Sequence, residues 1–111
     1  MIIIYKNDQY FLKVRPTINE IPIDDTCDEM IIKLGNVTKK KSLNEISYDN
    51  ELKCWLFPLQ IEQSSELNYA VNLQAWFSFD SNYFSTPVKK ITVGTSILKK
   101  NEVLWWLIWI F

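Results

Sequence analysis

Hydrophobic and polar residues alternate along most of the chain, and a period of two is typical of strands with one buried face. The clearest case is residues 69–79. Its mostly apolar side consists of Tyr69, Val71, Leu73, Ala75, Phe77 and Phe79. Its mostly polar side consists of Ala70, Asn72, Gln74, Trp76, Ser78 and Asp80. We predict a strand whose first set of side chains is buried and whose second set is less so.

The same alternation predicts further strands at 9–15, 29–34, 45–48, 51–59 and 88–98. Turn signals lie between them: Pro16, Gly35-Asn36, Asp49-Asn50 and Asp80-Ser81-Asn82. One helical turn is predicted at 61–67, and no segment has a long helical period. Short strands with turns between them favour a sandwich or a barrel. We expect an all-β fold, a small antiparallel β-sandwich of the immunoglobulin-like or a related type.

The C-terminus departs from this pattern. It is a run of eight apolar residues: Leu104, Trp105, Trp106, Leu107, Ile108, Trp109, Ile110 and Phe111. Such a run aggregates if water surrounds it, yet it is far shorter than the roughly 20 residues of a membrane-spanning helix. We therefore divide the chain into a sandwich domain, residues 1–103, and an apolar C-terminal tail, residues 104–111.

Three fates are open to the tail: burial against a partner subunit, a two-sided strand in its own fold, or contact with a membrane interface. We expect the first, with the tail residues forming a protein interface, because a segment that is apolar on both faces fits poorly at the edge of a sandwich. On this hypothesis, deletion of residues 104–111 leaves a folded monomer.

Composition narrows the function. The chain has 111 residues, of which 48% are hydrophobic and 23% charged, as in one globular domain. A formal net charge of -1 and a single arginine, Arg15, argue against nucleic-acid binding. The N-terminal residues lack the features of a signal peptide, so we expect no secretion by that route. Cys27 and Cys54 are expected to remain unpaired.

The sequence offers little for catalysis or metal binding. It contains no histidine, only two cysteines and only two glycines. A Ser-His-Asp triad, a four-ligand zinc site and a phosphate-binding glycine loop are therefore excluded within one chain. The acidic residues 24–29 are interpreted as turn and surface groups, with a calcium site as the alternative. We expect no catalytic residue, no metal and no cofactor, and hence no enzyme.

Two surface features have competing interpretations. Lys39, Lys40 and Lys41 are expected at a solvated hairpin tip, with an anion-binding patch as the alternative. Trp76 lies on the polar side of its strand, where it could be covered, anchor a protein interface or stack on a sugar. We assign Trp76 to a protein interface and keep a carbohydrate site of Trp76, Gln74 and Asn72 as the alternative.

The segments "WLFPLQIEQSSELN" and "YAVNLQAWFSFDSNYFSTPVKKITVG" carry a resemblance to a known family. They resemble the N-terminal sandwich domain of bacteriophage upper-baseplate proteins and tail-fibre adaptors. That family has a "T-x-E-Q-[TS]" turn, a "Y-x-x-x-[VL]-Q" strand and a last strand ending near "V-x-x-G". Glu62-Gln63, Tyr69, Gln74 and Val93-Gly94 stand at the corresponding places. The similarity covers roughly residues 9–100, but the family's glycine before Tyr69 is missing and the aromatic tail is unlike the family.

The resemblance implies a non-enzymatic virion structural protein, a baseplate, tail or fibre-adaptor module made in the bacterial cytoplasm. Its partners would be other virion proteins or copies of itself as a homo-oligomer, without nucleic acid or membrane. Two alternatives remain: a carbohydrate-binding β-sandwich module, and a small phage protein that binds and inhibits a host protein.

Overall fold

Strands dominate the structure, a computed structural model that describes residues 3–6, 9–60, 63, 70–95 and 105–110. The strands are β1 Ile3–Lys6, β2 Gln9–Val14, β3 Thr17–Ile18, β4 Ile21–Pro22, β5 Glu29–Leu34, β6 Val37–Lys40, β7 Ser47–Asp49, β8 Cys54–Leu59, β9 Ala70–Phe79, β10 Asn82–Ser85, β11 Lys89–Thr95 and β12 Trp105–Ile110. A 3₁₀ turn, Lys41–Leu43, joins β6 to β7. Of the helical turn predicted at 61–67, only residue 63 is described. Tyr69, the first residue of the strand predicted at 69–79, lies outside the described residues.

The strands form two principal sheets. In the described part of the chain, the first has the order β1-β11-β9-β5-β6, with β10 also beside β9, and the second has the order β12-β2-β8-β7. Pairing is antiparallel except between β1 and β11 and between β12 and β2. The positions of β5, β9 and β11 against β2, β8 and β7 match strands C, F and G against B, E and D of an immunoglobulin sandwich. The predicted all-β sandwich is confirmed.

A single hydrophobic core lies between the two sheets. The second sheet contributes Leu12, Val14, Trp55, Phe57 and Leu59, and the first contributes Met30, Ile32, Leu34, Val71, Leu73, Ala75, Phe77 and Ile91. In β9 the alternation is as predicted, since residues 71, 73, 75 and 77 are buried while Asn72 is exposed and Gln74 and Trp76 are partly buried. Ser78 is an exception at 3% exposure, and its carbonyl accepts a hydrogen bond from the Asp28 N–H at 2.8 Å.

Trp55 fastens the long loop before β5 to the core. Its side chain is buried, and its indole Nε1 donates to the Ile23 carbonyl at 2.9 Å. The Ile23 N–H in turn donates to the Pro16 carbonyl at 2.9 Å. Tyr48 of β7 packs edge-on against Trp55, with 5.5 Å between the ring centroids. One side chain therefore holds β7, β8 and the loop together.

The turn between β7 and β8 is longer than the sequence predicts. Asp49 Oδ1 accepts from the main-chain N–H groups of Glu51 and Leu52, at 2.9 and 3.0 Å. Arg15 then donates to the Leu52 and Lys53 carbonyls, at 2.8 and 3.0 Å. These bonds engage the main chain of residues 51–53 in a turn, so β8 begins at Cys54 rather than at residue 51.

The tail residues 105–110 pair with the sandwich itself. β12 runs parallel to β2 with Trp105 beside Gln9 and Ile110 beside Val14. For the backbone of residues 105–110 this is the second of the three fates, a strand of the chain's own fold. The backbone of residues 105–110 thus belongs to the sheet expected from residues 1–103 alone. Leu104 and Phe111 lie outside the described residues, and the interface role of the tail stays a prediction.

Deletion of residues 104–111 should destabilise the domain, because it removes the ladder between β12 and β2. With a net contribution of about 0.5–1.5 kcal/mol for each hydrogen bond, we expect a loss of at least about 2 kcal/mol in the free energy of unfolding. Urea titration followed by tryptophan fluorescence measures it, with deletion of residue 111 alone as the control. A truncated chain as stable as the full chain would contradict the pairing.

Trp55→Phe should weaken the attachment of the loop. The phenyl ring keeps most of the apolar contact but leaves the Ile23 carbonyl without its donor, at an expected cost of about 1–3 kcal/mol. Urea unfolding measures the change. Trp76→Phe, on the outer face of β9, is the matched control and should cost less than about 1 kcal/mol. Equal losses in the two variants would show that the indole bond to Ile23 contributes nothing.

Candidate functional site

Trp76 lies on the outer face of the first sheet. In β9 it pairs with Ile31 of β5 on one side and with Ser85 of β10 on the other. It is partly buried, so it is neither open on a bare face nor fully covered. Of its predicted sugar-binding companions, Asn72 is exposed and Gln74 is partly buried. The structure thus brings the three residues to one face of one strand.

Beside Trp76, β10 forms an exposed strand that the sequence did not predict. It follows a two-residue turn in which Asp80 and Ser81 both have positive φ, 49° and 68°, a geometry suited to tight hairpins. All four of its residues, Asn82–Ser85, are exposed and none is charged. We call this strand the aromatic edge. Its sequence signal was the pair of β-forming aromatics directly after the turn.

The aromatic edge presents one ring to each face of the sheet. Tyr83 is 65% exposed and lies opposite Ser78 on the outer face, diagonal to Trp76. Phe84 is 39% exposed and lies opposite Phe77. The rings of Phe84 and Phe77 are stacked with centroids 5.8 Å apart. Phe84 therefore packs against the edge of the core while remaining partly exposed. Tyr83 lies on the same exposed face as Trp76.

The main chain of the aromatic edge is also available. The Thr86 N–H donates to the Ala75 carbonyl at 2.9 Å, which sets the alternation of the antiparallel ladder. By that alternation, Asn82 and Phe84 direct their N–H and C=O groups toward β9, whereas Tyr83 and Ser85 direct theirs away from it. No strand in the described part of the chain pairs with that outer side.

Thr86 ends the aromatic edge by bending the chain away from β9. A regular ladder would join the Ala75 N–H to the Thr86 carbonyl. Instead, the Ala75 N–H donates to the Thr86 hydroxyl at 3.0 Å, and the Thr86 carbonyl accepts from Gln74 Nε2 at 2.9 Å. Pro87 follows and has no N–H to donate. The chain returns to β9 as β11, beginning at Lys89 beside Leu73.

The bend leaves a pocket of about 250 Å³ between itself and the corner that joins β2 to β3. Most of its surface is apolar, and its apolar lining residues are Val14, Pro16, Leu73, Ala75 and Pro87. Its polar lining is Arg15, Thr17, Gln74, Thr86 and Lys89. The pocket exceeds a cavity of about 150 Å³ that holds benzene, and it is smaller than the roughly 300–1,000 Å³ of drug-sized sites. It has room for one large side chain.

The acidic residues of the loop before β5 serve the loop itself. Asp24 Oδ1 accepts from the Thr26 N–H at 3.0 Å and from the Thr26 hydroxyl at 2.5 Å. These bonds, the hydroxyl bond foremost, lower the pKa of Asp24. Asp28 Oδ2 accepts from the Asp80 N–H at 2.7 Å and so ties this loop to the β9–β10 turn. Within the described residues no group of side chains is suited to hold a metal ion.

Two lysines of the basic run, Lys39 and Lys41, contact the fold, whereas a solvated hairpin tip was predicted for them. Lys39 belongs to β6 and is only 8% exposed, with its ammonium 5.5 Å from the centroid of the Phe57 ring. Burial lowers the pKa of Lys39. Lys41 Nζ donates to the carbonyls of Asp25 and Cys27, at 2.9 and 2.5 Å. The prediction of a solvated hairpin tip is therefore wrong for Lys39, because β6 extends to Lys40 and places Lys39 opposite the buried Ile32, on the inner face of the sheet.

Both cysteines are buried and carry free thiols. Burial raises the pKa of Cys27 and of Cys54. A raised pKa reduces the fraction of thiolate, which is the nucleophilic form. Neither residue has the electropositive, accessible setting of a reactive cysteine.

Comparison of the chain with protein-family models, curated proteins and solved structures finds no match. Among the described residues, no helix has the length and apolar character needed to cross a membrane. The fold and the site together define a β-sandwich with an uncharged aromatic edge and an adjoining pocket.

Thr86→Val should loosen the bend, because valine keeps the shape of threonine but removes the acceptor for the Ala75 N–H. An amide left without its partner at this depth costs about 1–3 kcal/mol. We expect lower stability in urea unfolding and faster hydrogen exchange at the Ala75 amide. Thr38→Val, at an exposed position of β6, is the control and should stay within about 0.5 kcal/mol of the parent. Unchanged exchange at Ala75 would refute the role assigned to Thr86.

Proposed function

We propose that this chain is a non-enzymatic sandwich that assembles with other proteins through the aromatic edge. The observation that carries the proposal is an edge strand without charge whose Tyr83 and Phe84 are 65% and 39% exposed. Native proteins usually protect edges with charges, proline or a covering segment, because an unprotected edge pairs with other chains. Exposed aromatic groups beside such an edge are typical anchors of protein interfaces.

A contrast between the ends of the sheets supports this assignment. β6 ends the first sheet with Lys39 and Lys40, and β7 ends the second with Asp49. On the other side, β1 at the far end of the first sheet contains Lys6, whereas β10 beside β9 and β12 at the far end of the second sheet carry no charged residue. Trp76 and residues 105–110, predicted as interface residues, thus lie next to the aromatic edge or at the uncharged end of the second sheet.

The resemblance to bacteriophage baseplate domains supplies the setting of the proposal. In that setting the chain is a structural component of the virion, in the baseplate, tail or fibre adaptor. Its partners are other virion proteins or further copies of itself. Assembly through exposed edges and aromatic anchors requires neither a cofactor nor a reacting group.

The carbohydrate alternative receives less support from the geometry. A sugar hydroxyl would need the side-chain amides near Trp76, yet Gln74 Nε2 is already bound to the Thr86 carbonyl. Trp76 itself is partly covered, which reduces the ring area on which a sugar could stack. The alternative of a host-protein inhibitor is distinguished by copy number. A virion component is retained at a fixed number of copies in purified phage particles, whereas an inhibitor is not.

Tyr83→Lys tests the proposal by placing a charge on the aromatic edge. Copies of a tagged chain in purified particles are counted by quantitative mass spectrometry, and self-association is measured by sedimentation equilibrium. Loss of an interface anchor worth about 2 kcal/mol should weaken incorporation or self-association about thirtyfold. Leu43→Lys is the matched control, because Leu43 is similarly exposed at 62% but lies on the 3₁₀ turn.

Leu43→Lys should behave as the parent chain does. A parent chain that is absent from particles and monomeric in solution would contradict the proposed function. Equal effects of the two lysine substitutions would contradict the assignment of the interface to β10.

A further inference from the structure

We propose that the aromatic edge binds a second copy of this chain, with the two β10 strands antiparallel about a two-fold axis at Phe84. In this pairing Phe84 of each copy lies opposite Phe84 of the other, and Tyr83 of each lies opposite Ser85 of the other. The first sheets of the two copies then join into one continuous sheet. This inference rests on the proposed function and specifies the partner and its register.

The main-chain groups of the aromatic edge fit such a pairing. Tyr83 and Ser85 direct their N–H and C=O groups away from β9, because the bond from the Thr86 N–H to the Ala75 carbonyl sets the alternation. Those two residues lie symmetrically about Phe84, so the axis places Tyr83 of one copy opposite Ser85 of the other. Each such pair can exchange two hydrogen bonds, as in any antiparallel ladder. The pairing therefore satisfies every outward-facing main-chain group of the strand.

The two ends of the strand select this register. A shift of two residues one way would place Ser85 opposite Ser81, which has a positive φ of 68° in the turn. A shift of two residues the other way would place Tyr83 opposite Pro87, which has no N–H to donate. Of these three registers, the axis at Phe84 alone gives each outward-facing residue a partner within the strand.

The pairing also covers the exposed aromatic side chains. Phe84 and its copy form a non-hydrogen-bonded pair, in which the Cα atoms approach to about 4.5 Å and aromatic side chains contact each other. The Phe84 ring, 39% exposed, already stacks on Phe77 at 5.8 Å, so the rings of both copies form one row across the joined sheet. On the outer face, the small Ser85 lies between Trp76 and Tyr83 of the second copy. That tyrosine, 65% exposed in the single chain, thus has room to cover Trp76.

The charges on the two sides of the aromatic edge are opposite in sign. The turn before β10 carries the exposed Asp80, and the exposed Asp28 accepts a hydrogen bond from the Asp80 N–H at 2.7 Å. The bend after β10 leads to the exposed Lys89 and Lys90. Asp80 stands four residues before Phe84, and Lys89 stands five residues after it. The axis therefore places the acidic turn of each copy beside the basic residues of the other, at both ends of the interface.

This order of charges favours a second copy as the occupant. A strand that pairs antiparallel with β10 needs an uncharged centre, a basic end to meet the acidic turn and an acidic end to meet the two lysines. The chain itself has that order, from Asp80 through Asn82–Ser85 to Lys89. A parallel pairing would place like charges together at both ends, which is unfavourable.

Disulfide cross-linking of the full chain tests the register. Cα atoms about 4.5 Å apart lie within the range that a disulfide bridges, so Phe84→Cys should give a covalent dimer under mild oxidation. Asn82→Cys is the matched control, since Asn82 lies on the same face of β10. The two copies of residue 82 are displaced by about 13 Å along the strands, so this variant should stay uncrosslinked. The parent chain, whose Cys27 and Cys54 are buried, gives the background.

Reversed charges test the antiparallel arrangement. Lys89→Glu should weaken the dimer about tenfold in sedimentation equilibrium, because it brings carboxylates together at both ends, and Asp80→Lys should weaken it similarly. A mixture of these two variants should form heterodimers about as tightly as the parent chain dimerises, because opposite charges meet again at both ends. Lys33→Glu makes the same change in net charge on β5, which β9 separates from the interface. It should change the dimer less than about twofold.

The outcomes separate this inference from the proposed function. A parent chain that is monomeric at about 1 mM, yet enters particles and loses that ability with Tyr83→Lys, would overturn the second copy and leave the aromatic edge as an interface. A dimer that Lys89→Glu weakens no more than Lys33→Glu does would overturn the antiparallel arrangement. A cross-link at residue 82 and none at residue 84 would overturn the register. Thermal unfolding verifies that each variant is folded, and should Asp80→Lys fail to fold, the other variants still decide.

Discussion

The hydrogen bond from the Ala75 N–H to the side-chain hydroxyl of Thr86 is the interaction on which the aromatic edge and the adjoining pocket depend. β9 is ten residues long and supplies the middle of the core, so its flank requires a continuous partner. Because the hydroxyl of Thr86, and not its carbonyl, accepts the hydrogen bond from the Ala75 N–H, the partner strand bends away from β9 at this point. One side chain thereby divides a single long strand into β10 and β11 without leaving a buried amide unsatisfied.

That division creates the edge and the pocket together. A strand that continued in register from residue 82 to residue 95 would pair with β9 along its whole flank and would leave no bend beside Leu73 and Ala75. With the bend at Thr86 and Pro87, the core is accessible from the flank, and the edge that borders the opening carries aromatic groups but no charge. The two features therefore have a common cause and adjoin each other on one flank of the sandwich.

Much of the fold could be predicted from local pattern, and most of the site could not. Alternation identifies which side of β9 is buried, and the Gly35 turn, with φ of 59°, identifies the β5–β6 hairpin. Alternation does not identify the neighbour of a strand. The break at Thr86 depends on a side chain replacing a carbonyl across the sheet, and the pairing of the apolar C-terminal run with β2 joins residues about a hundred positions apart. The burial of Lys39 could not be predicted for a similar reason, since it depends on the Phe57 ring of the other sheet, which packs against the Lys39 side chain.

The distribution of charge over the sheet ends restricts how such a domain can assemble. A sandwich with unprotected edges at both ends of its sheets could add neighbours without limit, because each new copy would present a further edge. Here the end strands β6, β7 and β1 carry Lys40, Asp49 and Lys6, whereas β10 beside β9 and β12 at the end of the second sheet are uncharged. Among these strands, β10 and β12 are therefore the edges least protected against pairing with another chain.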